Sequence, residues 1–243
     1  MWRKYFTKLP TPLRRFAFQL LAPVRRVVWR LRRHPRYFEE SDRRTFFRKA
    51  FYALHFNEID GDYCEFGCHT GLTFGLAYRE SRRIGYTSQQ WAFDSFAGMP
   101  EHVSDADDHP SWKPGGRVTT VPQFRDICAR NGIGTEEYTI VQGFYNDTLA
   151  DAASAAGLPS NVALAYIDCD LYSSTAEVLR FLSPRLKNGM IVAFDDYFCW
   201  SRSGTSGERK ALLEFAKSHP DWSFVPYARF GWAGQSFVVE SAR

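Results

Sequence analysis

Two kinds of periodicity divide this chain. Over the first 38 residues, Leu13, Phe16, Leu20, Val24, Val27 and Leu31 recur every three or four positions with arginines between them, the pattern of an amphipathic helix. Pro23 falls inside that stripe and is expected to kink or divide the helix. From residue 39 the pattern changes. Short apolar, β-rich runs at Tyr63–Gly67, Trp91–Phe96, Tyr138–Gly143, Val162–Asp170 and Met190–Tyr197 alternate with helical patterns at Gly71–Glu80, Pro122–Arg130, Asp147–Ala156 and Thr175–Leu186. Gly132 suits a helix stop, and Ser173-Ser174-Thr175 with Glu177 resembles an N-terminal capping arrangement. Strands alternating with helices need crossover connections, hence a parallel sheet. After a further helical stretch, Glu208–Ser218, the runs Ser223–Phe230 and Gln235–Glu240 follow with no helix between them. They form a closing hairpin that adds an antiparallel edge. The expected fold is α/β, with a basic helical arm over 1–38 and one domain over 39–243.

Composition supports a single large α/β domain, since 243 residues leave little for a second. Charge is more informative. Eleven of the 31 Lys and Arg residues lie in residues 1–38, which contain no acid, so the remaining twenty face all 27 acids. The body is therefore mildly acidic, which disfavours a nucleic-acid-binding function. The arm suits either the anionic surface of a membrane or a protein partner, including its own or another subunit's acidic body. No run approaches the length of a membrane span, and the N-terminus lacks the apolar core of a secretion signal. The five scattered cysteines contain no CxxC pair and read as buried thiols in a cytoplasmic protein.

The chemistry gathers at strand ends, where open α/β sheets bind ligands. The first strand runs into Glu65-Phe66-Gly67-Cys68-His69-Thr70-Gly71, an acid followed by glycines that open a helix. This is neither the dinucleotide G-x-G-x-x-G nor a P-loop. The second ends in Asp94-Ser95, where an acid can accept from a ribose diol. The fourth ends in Asp168-Cys169-Asp170, and the fifth in Asp195-Asp196. Four carboxylates on neighbouring strand ends repel each other unless a cation sits among them, and a hard divalent ion such as Mg²⁺ suits oxygen ligands. The alternative is a set of separate, solvated helix caps.

These stretches, together with Gly98-Met99-Pro100-Glu101, Gly143-Phe144-Tyr145-Asn146-Asp147-Thr148-Leu149, Leu171-Tyr172 and Tyr197, resemble the macrocin O-methyltransferase family over about residues 45–200. The resemblance implies a class I (Rossmann-like) methyltransferase sheet of seven strands, the cofactor S-adenosylmethionine, Mg²⁺, and a hydroxyl of a sugar-like substrate; an arm held at a membrane would suit an acceptor on a lipid-linked glycan. It puts Glu65, Gly67, Thr70, Gly71, Asp94 and Ser95 at the cofactor. It makes Asp168, Asp195 and Asp196 metal ligands, with Asp168 and Asp170 catalytic and Asp170 the general base. Two other readings compete. Asp168-Cys169-Asp170 is also a D-x-D motif of metal-dependent glycosyltransferases, and a membrane-associated scaffold could keep the fold without activity. Peripheral membrane contact and homo-oligomerisation through the arm are further expectations.

Overall fold

The computed structural model describes residues 22–31, 34–102, 104–150 and 157–242. Leu13, Phe16 and Leu20 of the arm's stripe lie outside the described residues, as does the C-terminal part of the helix expected over Asp147–Ala156. The chain forms two compact units, up to Asp42 and from Arg43 onward. In the first, α1 spans Ala22–Leu31 with Pro23 in its opening turn, where the missing N–H costs nothing. Val24, Val27 and Leu31 of α1 are exposed. No helix among the described residues is long and apolar enough to cross a membrane.

A 22-residue helix that the pattern did not predict, α2 (Pro35–Phe56), runs on into the second unit. Its part beyond Arg43 buries Phe46, Phe47, Ala50, Phe51 and Leu54, one apolar stripe at helical spacing. The elements that follow are β1 (Asp62–Phe66), α3 (Leu72–Ile84), β2 (Gln90–Asp94), α4 (Val121–Arg130), β3 (Tyr138–Gln142), α5 (Tyr145–Thr148), β4 (Val162–Ile167), α6 (Tyr172–Leu182), β5 (Ile191–Phe194), α7 (Gly207–Ser218), β6 (Trp222–Phe230) and β7 (Gly234–Ser241).

The strands form one seven-stranded sheet in the order β3-β2-β1-β4-β5-β7-β6. β1 to β5 pair in parallel, and β7 pairs antiparallel with both β5 and β6. The antiparallel strand anticipated from the closing hairpin is present, one place in from the edge expected for it. β7 is buried along most of its length, whereas β6 is half-buried or exposed except at Phe230 and contains Pro226, which has no ladder donor to give an outer neighbour. That composition fits β6 to the outermost position.

Successive strand residues serve opposite faces. Tyr63, Ala92, Tyr166 and Ala193 pack with α2, α3 and α4. Cys64, Phe66, Phe93, Ile167 and Phe194 pack with α6 and α7. Aromatic rings fill both layers, as in the stacked pair Phe66–Phe93, with centroids 4.6 Å apart. β4 is buried throughout, as a central parallel strand should be. Gly132 follows α4 in a left-handed conformation and stops it as expected. The expected cap at Ser173–Thr175 is not formed. α6 starts earlier, at Tyr172, with extended Leu171 before it, and the buried Asp107 carboxylate accepts from the Ser173 amide at 2.8 Å. All five cysteines are free, four of them buried.

Candidate active site

A cavity of about 920 Å³ opens beyond the carboxyl ends of β1, β2, β4 and β5. One wall is the loop after β1. Gly67 there has φ 89°, and a Cβ on it would stand 2.0 Å from the Asp168 carbonyl oxygen. The glycine is thus required because β1 and β4 close on each other at this point, and the Asp168 amide donates to Phe66 O at 2.8 Å. The motif read as an approach for a ligand is first an approach of backbone to backbone.

Asp94 ties this loop to the end of β2. Its Oδ2 accepts from the amides of Cys68 and His69 at 2.8 and 3.1 Å, and its Oδ1 from the amide of Phe96 at 2.7 Å. A carboxylate has about four acceptor positions, so roughly one is left for another donor. Ser95 donates to Gly98 O at 2.7 Å and closes the following turn. Gly67, Thr70, Asp94 and Ser95 line the cavity. Glu65 and Gly71 do not. Gly71 turns the chain into α3 at φ 62°. Glu65 is fully buried beneath the wall, where Tyr63 Oη and Thr73 Oγ1 donate to it. Burial dominates its titration and pushes its pKa up to about 8, against the pull of those two hydrogen bonds.

Asp168, Asp170 and Asp195, at the ends of β4 and β5, line the opposite wall, with Asp196 beside them. Oxygens of Asp168, Asp170 and Asp196 lie within 4.8 Å of one another. Asp170 reaches this position from a left-handed residue, φ 64°, in the tight turn after β4. Burial, followed by the neighbouring acids Asp195 and Asp196, holds the Asp168 carboxyl well above the usual range. Burial and a hydrogen bond shared with Asp196 do the same for Asp170.

Asp195, expected among the metal ligands, stands outside this group. Arg43 of α2 donates to both of its oxygens, Nε to Oδ1 at 2.8 Å and Nη2 to Oδ2 at 2.6 Å, and Tyr166 Oη also donates to Oδ1. Burial opposes the charge of Arg43, and bonding to Asp195 more than offsets it, so the guanidinium stays protonated. Asp168 and Asp196 of the expected ligand set thus converge with Asp170, while Asp195 is paired with Arg43.

Two more residues escaped the sequence reading. Arg117, from the loop between β2 and α4, donates from Nη1 to Asp170 at 3.2 and 3.3 Å and lines the cavity. Glu208, in the first turn of α7, is fully buried and accepts from the Asp196 amide at 2.9 Å. Neither sits in a motif. Arg43 had a sequence signal, the apolar spacing of α2 just beyond it.

Comparison with known proteins agrees with this architecture. The chain matches the macrocin O-methyltransferase (TylF) family over residues 40–219. It is 31% identical over 145 residues to the 8-demethyl-8-(2,3-dimethoxy-alpha-L-rhamnosyl)-tetracenomycin-C 4'-O-methyltransferase of Streptomyces olivaceus, a match covering 57% of this chain and 54% of that protein. The chain thus spans about half the length of this curated relative. Among solved structures, the O-methyltransferase NovP superposes with a TM-score of 0.68 at 21% identity, covering 81% of this chain and 79% of that one. The calicheamicin methyltransferase CalS11 gives 0.64 at 21% identity, covering 97% and 88%. At that identity the two structures speak for the class I methyltransferase fold alone. The family match, extending across most of the chain and through every strand-end motif, carries the further step: this protein belongs to the macrocin O-methyltransferase family.

Proposed function

We propose that this protein transfers a methyl group from S-adenosylmethionine to a hydroxyl oxygen of a sugar or glycoside, assisted by a divalent cation such as Mg²⁺. The observation that carries the reading is the convergence of Asp168, Asp170 and Asp196 beside a cavity lined by Asp168 and Asp170 on one side and by the glycine loop and Asp94 on the other. Three crowded carboxylates offer the hard oxygen donors that Mg²⁺ prefers. The acceptor position left on Asp94 suits one ribose hydroxyl. The Streptomyces olivaceus relative, named for 4'-O-methylation of a rhamnosyl compound, supports a sugar acceptor.

When bound, the cation acidifies a hydroxyl and S-adenosylmethionine supplies an activated methyl group. The protein's own residues do the rest. Asp168 and Asp196 hold the cation side of the site. Asp170, buried and with raised proton affinity, accepts the hydroxyl proton. Arg117, bonded to that carboxylate, orients it toward the cavity. Gly67 and the Asp94 clamp set the spacing between the two walls, on which alignment of oxygen, methyl and sulfur depends.

The test is tritium transfer from labelled S-adenosylmethionine to a panel of deoxysugar glycosides, with and without EDTA. Transfer that ceases on chelation and returns with Mg²⁺ is expected, while S-adenosylhomocysteine binding survives chelation. Turnover that persists in EDTA would remove the cation from the reading. Transfer of sugar from a nucleotide sugar instead of methyl would overturn it altogether.

A further inference from the structure

The acid wall is larger than the three convergent aspartates. Five carboxylates crowd behind the cavity: Asp168, Asp170, Asp195, Asp196 and Glu208. Arg43 pairs with Asp195 and Arg117 with Asp170. Among the described residues, no ion pair is made by Asp168, Asp196 or Glu208. Glu208 has a second peculiarity. Its Oε2 accepts from the Asp196 amide, yet its Oε1 is buried and has no hydrogen-bond partner in the structure. A fully buried oxygen left without a partner is costly, the more so if charged.

The environment identifies the kind of ligand. Glu208 is tied to the acid wall by geometry, since its Oε2 holds the amide of Asp196, one of the three convergent aspartates. A second anion would be repelled there. A neutral apolar group would leave the oxygen as it is. A divalent cation suits such a cluster, because it offsets the unpaired carboxylates.

We infer that Glu208 is a positioning acid of the cation site, fixing the Asp195–Asp196 turn through Oε2 and adding its carboxylate to the acid cluster from behind. This rests on the cation reading proposed above and extends it to a residue outside every strand-end motif. Nothing in its surroundings of Ser206, Gly207 and Arg209 marks it in the sequence. Its place comes from α7 packing against the end of β5.

The experiment is titration of the full chain with Mn²⁺, following free ion by electron paramagnetic resonance, on wild type, Glu208→Gln and Glu208→Asp. Gln keeps the shape and an acceptor for the Asp196 amide but removes the charge. Asp keeps the charge and draws it back by one methylene. Outer acids of this kind typically contribute about ten- to hundredfold in metal affinity. Glu208→Gln is expected to weaken Mn²⁺ binding by that factor, with Glu208→Asp between it and wild type. The metal-free Tm of Glu208→Gln should not fall, since an uncompensated buried acid is removed, and S-adenosylhomocysteine affinity should hold. Wild-type Mn²⁺ affinity in either folded variant overturns the inference. So does a parallel loss of metal-free Tm and S-adenosylhomocysteine binding, which would mark Glu208 as merely structural. If wild type itself binds no Mn²⁺, the cation reading fails, and this inference fails with it.

Discussion

Replacing Gly67 by alanine tests whether the glycine loop is there for the protein's own backbone. The structure allows the cost to be split in two. At φ 89° a Cβ incurs left-handed strain of roughly 1–2 kcal/mol wherever it is placed. The second part is collision. The new Cβ would stand 2.0 Å from Asp168 O and 2.7 Å from the Asp168 carbonyl carbon, so the ends of β1 and β4 must move apart by about an ångström. Doing so breaks or stretches the bonds from the Asp168 amide to Phe66 O and from the Gly67 amide to Phe93 O, both 2.8 Å. Buried groups left without partners cost about 1–3 kcal/mol each, which brings the total to roughly 3–8 kcal/mol. Gly85 provides the control. Its φ is 79°, and a Cβ there meets nothing within 4 Å, so Gly85→Ala should show the strain of about 1–2 kcal/mol and no more. Urea denaturation of both variants reads the difference directly. Because Asp168 is displaced, Gly67→Ala should also lose Mn²⁺ affinity, whereas Gly85→Ala should not. Equal stability losses in the two variants, with Mn²⁺ affinity intact in both, would refute the argument that β1 and β4 require this glycine.

Three further outcomes are expected. Asp94→Asn replaces an acceptor of three amides with a group that turns donors toward some of them, so S-adenosylhomocysteine affinity should drop by about 1.5–3 kcal/mol by calorimetry, the scale of hydrogen bonds to a charged group. Unchanged affinity would show that the clamp does not shape the cofactor wall. Arg43→Met strips Asp195 of its ion pair in a buried setting and should destabilise the fold by about 3–5 kcal/mol in urea, while Arg43→Met with Asp195→Leu should recover most of the loss. If the double variant is no better than the single, the pair is not what holds these elements together. Glu65, with a pKa of about 8 in the folded chain against 4.5 as the reference, contributes stability that is complete below pH 4.5 and is lost as pH rises toward 8, at up to about 1.4 kcal/mol per pH unit. Glu65→Gln should therefore flatten the decline of the urea midpoint between pH 5.5 and 8.5, and an unchanged slope would exclude Glu65 as its source.

Much of the architecture was legible because it is written at short range. Alternation of period two and period 3.6 located every strand of the sheet, and the acids at the ends of β1, β2, β4 and β5 were visible as the residues on which those apolar runs stop. The arm's charge and the hairpin of β6 and β7 were legible for the same reason. What the sequence could not reveal was which groups meet through space. It offered Asp195 at the end of β5, but not Arg43, which folding brings from 152 residues earlier onto both of its oxygens. It offered Asp170 beside Asp168, but not Arg117 reaching it from 53 residues away, nor Glu208 beneath Asp196. The purpose of Gly67 was likewise hidden, since the atom that excludes a side chain there belongs to Asp168, on a strand adjacent in the sheet and remote in the chain. Local pattern determined where the chemistry-bearing residues lie along the elements. The order of the strands and the packing of helices against them decided the partners, because charge pairing and steric exclusion depend on distances that only the closed sheet establishes.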